Sequence, residues 1–179
     1  AVLTGCASVS LDQNINRVND EAGSFTGGKL ALARTLDERD QRAQAAQALL
    51  AQPLEQKDAV QLALVNSPSL QTLLAQGWAE SADAAQAGRI ANPIFSFERM
   101  VAGDELEFGR ALSFGLLDLL TLPARHGGAT RRIEQAQLRL TSDVVDQITR
   151  VRQSWVRAVA AQQTLKYAKQ VYDSAEAGA

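Results

Sequence analysis

A lone β-hairpin leaves both edges open and cannot hold itself together in water. This sequence sets one hairpin-like stretch, Ile94 to Val101 and Asp104 to Phe114, between two long helix-grade segments. On the second strand Leu106, Phe108, Leu112 and Phe114 alternate with Glu105, Glu107, Gly109, Ala111 and Ser113, so one face is apolar and the other polar or small. The first strand repeats the alternation with Phe95, Phe97 and Val101 against Ser96 and Glu98, while Ile94 and Met100 blur the polar side. An even-numbered loop around Ala102-Gly103 sets Phe97 opposite Phe108 and keeps the apolar faces together. A transmembrane strand needs about 9–11 tilted residues, which both segments nearly supply. Arg99 and Arg110 share the apolar phase. With Arg99 by the loop tip and Arg110 across from Phe95 near the base, both are expected to snorkel to an interface. The competing reading is an ordinary hairpin of a soluble sheet with one wet face.

The first residues bear on that choice. Leu3-Thr4-Gly5-Cys6 reads as the end of a bacterial lipoprotein signal, placed before the only cysteine. Small residues give a peptidase access to the bond, and the thiol is the nucleophile that takes diacylglycerol. Cys6 is thus the expected lipidation site, and Ala7 in place of aspartate is similar to lipoproteins sent to the outer membrane. A single cysteine excludes an intramolecular disulfide framework and a cysteine-based zinc site.

Few aromatics, a net charge of −2 and abundant Ala, Gln and Leu favour long helices with thin seams. Nothing is basic enough to suggest nucleic acid. No apolar run reaches about 18 residues, so strands and lipid, not a helix, are the expected route into a membrane.

Residues 7–28, rich in Ser, Asn, Asp and Gly, read as an extended tether. A helix is predicted from Lys29 to Leu50, punctuated by Pro53, and a shorter one from Leu54 to Val65. At Asn66-Ser67-Pro68, Ser67 can cap a new helix with Pro68 at its first position. That helix runs to about Ile90 with Leu70, Leu73, Leu74, Trp78, Ala82, Ala85 and Ile90 on a broad stripe, loosened by Gly77 and Gly88. Asn92-Pro93 ends it and launches the first strand. Beyond the hairpin Leu116 to Leu122 is apolar, Pro123 marks a turn or helix start, and Gly127-Gly128 relaxes the join.

From Ala129 to Ala177 neither Pro nor Gly occurs. Ile133, Ala136, Leu140, Val144, Ile148, Val151, Trp155 and Val159 recur there at helical steps. At 1.5 Å per residue this helix reaches about 70 Å, too long for a globule of this size. Its other face carries Arg131, Arg132, Arg139, Asp143, Asp146, Arg150, Arg152, Arg157 and Lys166. A solvated helix face is the plain reading, and a conduit lining or docking face the functional one.

The order of lipid box, Asn-Ser-Pro-Ser-Leu helix restart, Asn-Pro into strand, second strand ending in Leu-Leu-Asp-Leu-Leu-Thr-Leu-Pro-Ala-Arg, and long alanine- and glutamine-rich helix resembles the TolC-type outer-membrane efflux family. The resemblance covers most of the chain from Leu54 onward, with Cys6 matching lipidated members. It implies a mainly α fold with one β-hairpin, in which long helical hairpins form a periplasmic tunnel and the strands contribute to a trimeric transmembrane β-barrel. In that family each protomer is an internal duplication, and three protomers close one twelve-stranded barrel. Only the first half is expected here, as a fragment of a longer protein or a truncated gene product. Family residues that constrict the tunnel usually lie in the second half, so none carries over.

The expected organisation is then a residual signal and lipidation site over 1–6, a tether and periplasmic helical segment over 7–53, and first tunnel helices over 54–92. A transmembrane hairpin over 93–119 and a long tunnel helix over 120–179 complete it. Membrane-facing candidates are Phe95, Phe97, Leu106, Phe108, Leu112 and Phe114. The resemblance implies a homotrimer in outer-membrane lipid, working with a periplasmic adaptor protein and an inner-membrane transporter. No cofactor, metal or catalytic residue is expected. His126 is the only histidine, Gly27-Gly28-Lys29 lacks the spacing of a phosphate loop, and Glu105 with Glu107 fits a lumen or solvent lining better than a glycosidase pair. The alternative function is a periplasmic coiled-coil lipoprotein acting as scaffold or adaptor.

Overall fold

A computed structural model describes residues 10–90, 92–102, 105–113 and 115–178. The chain is mainly helical, with a single two-stranded antiparallel hairpin among the described residues. Its elements are α1 (Leu11–Thr26), α2 (Leu36–Leu50), α3 (Gln56–Asn66), α4 (Pro68–Ala87), β1 (Ile94–Ala102), β2 (Glu105–Ser113) and α5 (Leu116–Ala177). They fall into two compact units, residues 10–79 with 136–179, and residues 80–135; α4 and α5 contribute to both.

The first unit is a helical bundle. Its core joins Ile15 and Val18 of α1, Val60 and Leu64 of α3, Leu70 and Leu74 of α4, and Leu140, Val144 and Ile148 of α5. Val18, Leu70, Leu74, Val144 and Ile148 are sealed from solvent, each contributing roughly 1.5–3 kcal/mol by burial. The tether expected over 7–28 is instead helix α1 from Leu11. Leu11, Ile15, Val18 and Ala22 fall on one stripe with Asn14 and Thr26 buried beside it, and the other polar residues that suggested a coil are spread round the rest. Gly27, at φ 66°, closes that helix in the left-handed region, its N–H donating to the Gly23 carbonyl at 2.9 Å.

The helix predicted from Lys29 starts only at Leu36. Thr35 and Glu38 form a capping box, Glu38 N–H to Thr35 Oγ1 at 3.2 Å and Thr35 N–H to Glu38 Oε2 at 3.1 Å, which fixes the start. The residues before it form neither helix nor strand, and side-chain amides serve as their hydrogen-bonding neighbours. Asn19 accepts the Leu30 N–H at 2.7 Å and donates to the Leu30 carbonyl at 3.0 Å; Gln71 accepts from Ala33 N–H at 2.9 Å and donates to the Ala31 carbonyl at 3.0 Å. At the restart of α4, Pro68 is the first helical residue and the Leu70 N–H reaches Ser67 Oγ at 3.4 Å, as the sequence implies.

Polar contacts tie α5 to the same bundle. Gln137 donates to Asn14 Oδ1 at 2.8 Å and accepts from Arg17, while Thr141 donates to Glu21 at 2.8 Å. Arg152 lies 4.3 Å over the Phe25 ring, and Trp155 Nε1 donates to the Leu54 carbonyl at 2.9 Å. So one member of the predicted cationic face is a packing residue. From Ala160 to Gly178 every residue is exposed.

On α4 the buried stripe is Leu70, Leu74, Gly77, Ser81 and Ala84, continuing to Gly88; Trp78, Ala82 and Ile90, expected on it, are exposed. From Gly77 onward small residues take the contact face because α5 comes too close for large ones. A Cβ on Gly77 would sit 2.8 Å from Leu140 Cδ2, and in the second unit one on Gly88 would sit 2.6 Å from Ala129 Cβ.

Pro123 neither ends nor starts a helix. It lies inside α5, which begins at Leu116 and runs unbroken through Gly127-Gly128. Its missing N–H leaves the Leu119 carbonyl without its usual partner four residues on. Nearby, Arg125 donates to the Asp118 carbonyl at 3.1 Å and pairs with its carboxylate at 3.6 Å, adding side-chain bonds across the interrupted turn.

Candidate functional site

The hairpin and the helix ends beside it form the candidate site, all within residues 80–135. Nine antiparallel rungs run from Ile94↔Ser113 to Ala102↔Glu105. This register is offset by two residues from the expected one. Phe97 faces Arg110 rather than Phe108, and Phe95 faces Leu112 rather than Arg110. The strands pair one residue further toward the turn than the apolar alternation alone could specify, and a two-residue shift leaves every side chain on its original face.

Phe97 and Phe108 therefore meet on the diagonal, ring centroids 5.8 Å apart and planes tilted by 32°. With Phe95 and Leu112 they make an apolar face open to solvent: Phe95 is 65 % exposed and Leu112 62 %. Leu106 pairs with Val101 in the backbone register, and its side chain lies outside the described residues. Phe114 and Cys6 lie outside the described residues.

The arginines are displaced from where the sequence suggests. Arg110 occupies the fourth rung from the base and Arg99 the sixth, so they flank the centre rather than the two ends of the hairpin. Both are exposed. An arginine on a lipid face costs about 2–4 kcal/mol at the midplane and about 0–1 kcal/mol near an interface, so the level of these two residues matters.

The opposite face carries Ser96, Glu98, Gly109 and Ala111, together with exposed Ile94 and Met100. Gly109 faces Glu98, and a Cβ there would lie 3.6 Å from Glu98 Cβ, an ordinary contact. Just past β2, Leu116, Leu117 and Leu120 stand 66–72 % exposed on the first turns of α5. They add exposed apolar surface on helix, where backbone groups are already satisfied. The sequence announced this run of leucines but not its exposure.

Among the described residues no group of three His, Cys, Asp or Glu side chains could hold a metal ion. His126 is exposed on α5, and Gly27 closes a helix C-terminus, the end whose dipole disfavours a phosphate. The side chains of Glu105 and Glu107 lie outside the described residues. An open groove of about 760 Å³ in the helical bundle is lined by Leu32, Val65, Ala75 and Gln71 with Arg39 and Arg42 at its side. Arg42 donates to the Ala31 and Val65 carbonyls, and burial pushes its pKa down. It is engaged in holding the segment before α2. No described helix is long and apolar enough to cross a membrane.

Comparison with known proteins gives no relative: no protein-family model, curated protein or solved structure matches the chain.

Proposed function

We propose that this chain supplies a membrane hairpin and tunnel helices to a TolC-type export duct, the outer-membrane component of a tripartite efflux system. The observation that carries the reading is a bare hairpin set between two helices: among the described residues both edges are unpaired, and its aromatic face is open. Strands from other copies, and from any further hairpin of the gene product, would close the edges into a barrel. The exposed terminal stretch of α5 offers helix surface for neighbouring tunnel helices. The duct is passive, for small solutes or metal ions, and performs no chemistry. An inner-membrane transporter supplies the energy and a periplasmic adaptor bridges to the duct, which works as a homotrimer anchored through lipid on Cys6.

A second reading is a periplasmic scaffold or adaptor lipoprotein whose hairpin joins a soluble sheet. The central position of Arg99 and Arg110 favours it, because soluble sheets accept arginine on an exposed face at no cost. Fractionation separates the two. The duct reading expects the full-length gene product in the outer membrane as a detergent-dependent trimer that conducts ions across a planar bilayer. A soluble monomer after processing of Cys6 would favour the scaffold and sink the duct.

A further inference from the structure

The apolar surface of the hairpin unit is not centred on the hairpin. In chain order it takes in the Phe97–Phe108 pair, Phe95 and Leu112, and the exposed leucines at the start of α5. Arg99 and Arg110 sit beside the aromatic pair at its upper limit. From Arg110 to Leu120 the chain path is at most about 26 Å, six extended steps of about 3.4 Å and four helical steps of 1.5 Å. The apolar band of outer-membrane barrels is about 25 Å tall. With strands tilted about 35–45°, a band that ends at Leu120 leaves the arginines within a few Å below its upper edge, a distance their long side chains span by snorkelling, so the full midplane penalty no longer applies.

Their arrangement is suited to an anion. Arg99 and Arg110 are diagonal neighbours on opposite strands, which puts their Cβ atoms within roughly 7–8 Å. Neither guanidinium has a hydrogen bond or ion pair among the described residues, and no described carboxylate shares their face. Guanidinium groups bind phosphate through paired N–H donors, and two at this spacing converge on one group. We infer that Arg99 and Arg110 form a docking site for the phosphate of an anionic lipid. The acyl chains of that lipid lie over Phe95 and Leu112, two rungs nearer the base than Arg110. The site rests on the duct reading and deepens it, since it fixes the depth at which the hairpin sits.

The test uses the full-length gene product purified in neutral detergent, offered phosphatidylglycerol or phosphatidylcholine, with retained lipid counted by native mass spectrometry. Retention of phosphatidylglycerol over phosphatidylcholine by about tenfold or more is expected for two arginines at a headgroup plane. Arg99→Gln/Arg110→Gln should abolish the preference while the trimer and its conductance persist, and Arg99→Lys/Arg110→Lys should keep part of it. Equal retention of both lipids by the unmodified protein, or a preference unchanged in the glutamine variant, overturns the site. A conducting trimer without lipid preference defeats only this inference. A product that enters no membrane defeats the duct reading with it.

Discussion

Gly88 is the position where one methyl group should do the most local damage. Its added Cβ would lie 2.6 Å from Ala129 Cβ, whereas carbon atoms rest at about 3.5–4.0 Å. The two backbones must part by about 1 Å, and neither methyl can rotate away. Overpacking of this kind costs about 1–3 kcal/mol, so Gly88→Ala should raise local opening by that amount. The complementary change, Ala129→Gly, removes the opposing methyl but weakens α5 by about 1 kcal/mol through helix propensity. Combined, the two should be less harmful than their sum, with a coupling energy of about 1–2 kcal/mol. Hydrogen–deuterium exchange at the amides of 84–88 and 129–133 reads this directly. Additive effects of the two substitutions, or a Gly88→Ala protein as protected as the parent, would refute the close approach.

Four further outcomes are expected. Asn19→Ala removes both bonds to the Leu30 backbone and should speed exchange of the Leu30 amide by about ten- to a hundredfold, as leaving buried polar groups unpaired costs about 1–3 kcal/mol. Trp155→Phe keeps the ring but loses the bond to the Leu54 carbonyl, and should lower stability by about 1 kcal/mol in urea unfolding followed by circular dichroism. Glu21 is held below its ordinary carboxylate pKa first by its bond from Arg17 and then by that from Thr141. Its contribution is present above the unfolded-state pKa and lost as pH falls through the lowered folded value. The stability gap between Glu21→Gln and the parent, measured by urea titrations from pH 7 to pH 2, should therefore shrink on acidification. Finally, labelled palmitate should enter the protein in a lipoprotein-processing bacterium and be absent from Cys6→Ser; equal labelling of both would remove the lipid anchor from the account.

Helix existence was legible wherever an apolar period ran without interruption, as in Leu140, Val144 and Ile148, which are indeed core. The bundle helix α1 escaped notice because its stripe of four apolar residues sits among Asn, Asp, Ser and Gly, and composition spoke louder than period. Gly77 and Gly88 read as weaknesses in a helix predicted to Ile90, yet both are contact points, Gly77 inside α4 and Gly88 in the turn just past its end at Ala87; a sequence shows the missing side chain but not the neighbour that needs the space. Pro123 misled for a related reason, since helix can continue past a proline and side chains from Arg125 reinforce the turn. For the hairpin, alternation decided which residues share a face but left the register free in steps of two. That step moved Arg99 and Arg110 toward the centre and changed what their face can do.

The account turns on which face of the hairpin meets lipid. A cysteine-reactive fluorophore placed at Phe95→Cys or Ser96→Cys in the full-length product, reconstituted in vesicles, reports this when the acyl chains carry bromine as a quencher. The two positions are adjacent on β1 and point to opposite faces. Strong quenching at position 95 and little at position 96 is the predicted result. Equal quenching at both, or none at either, would contradict the membrane hairpin.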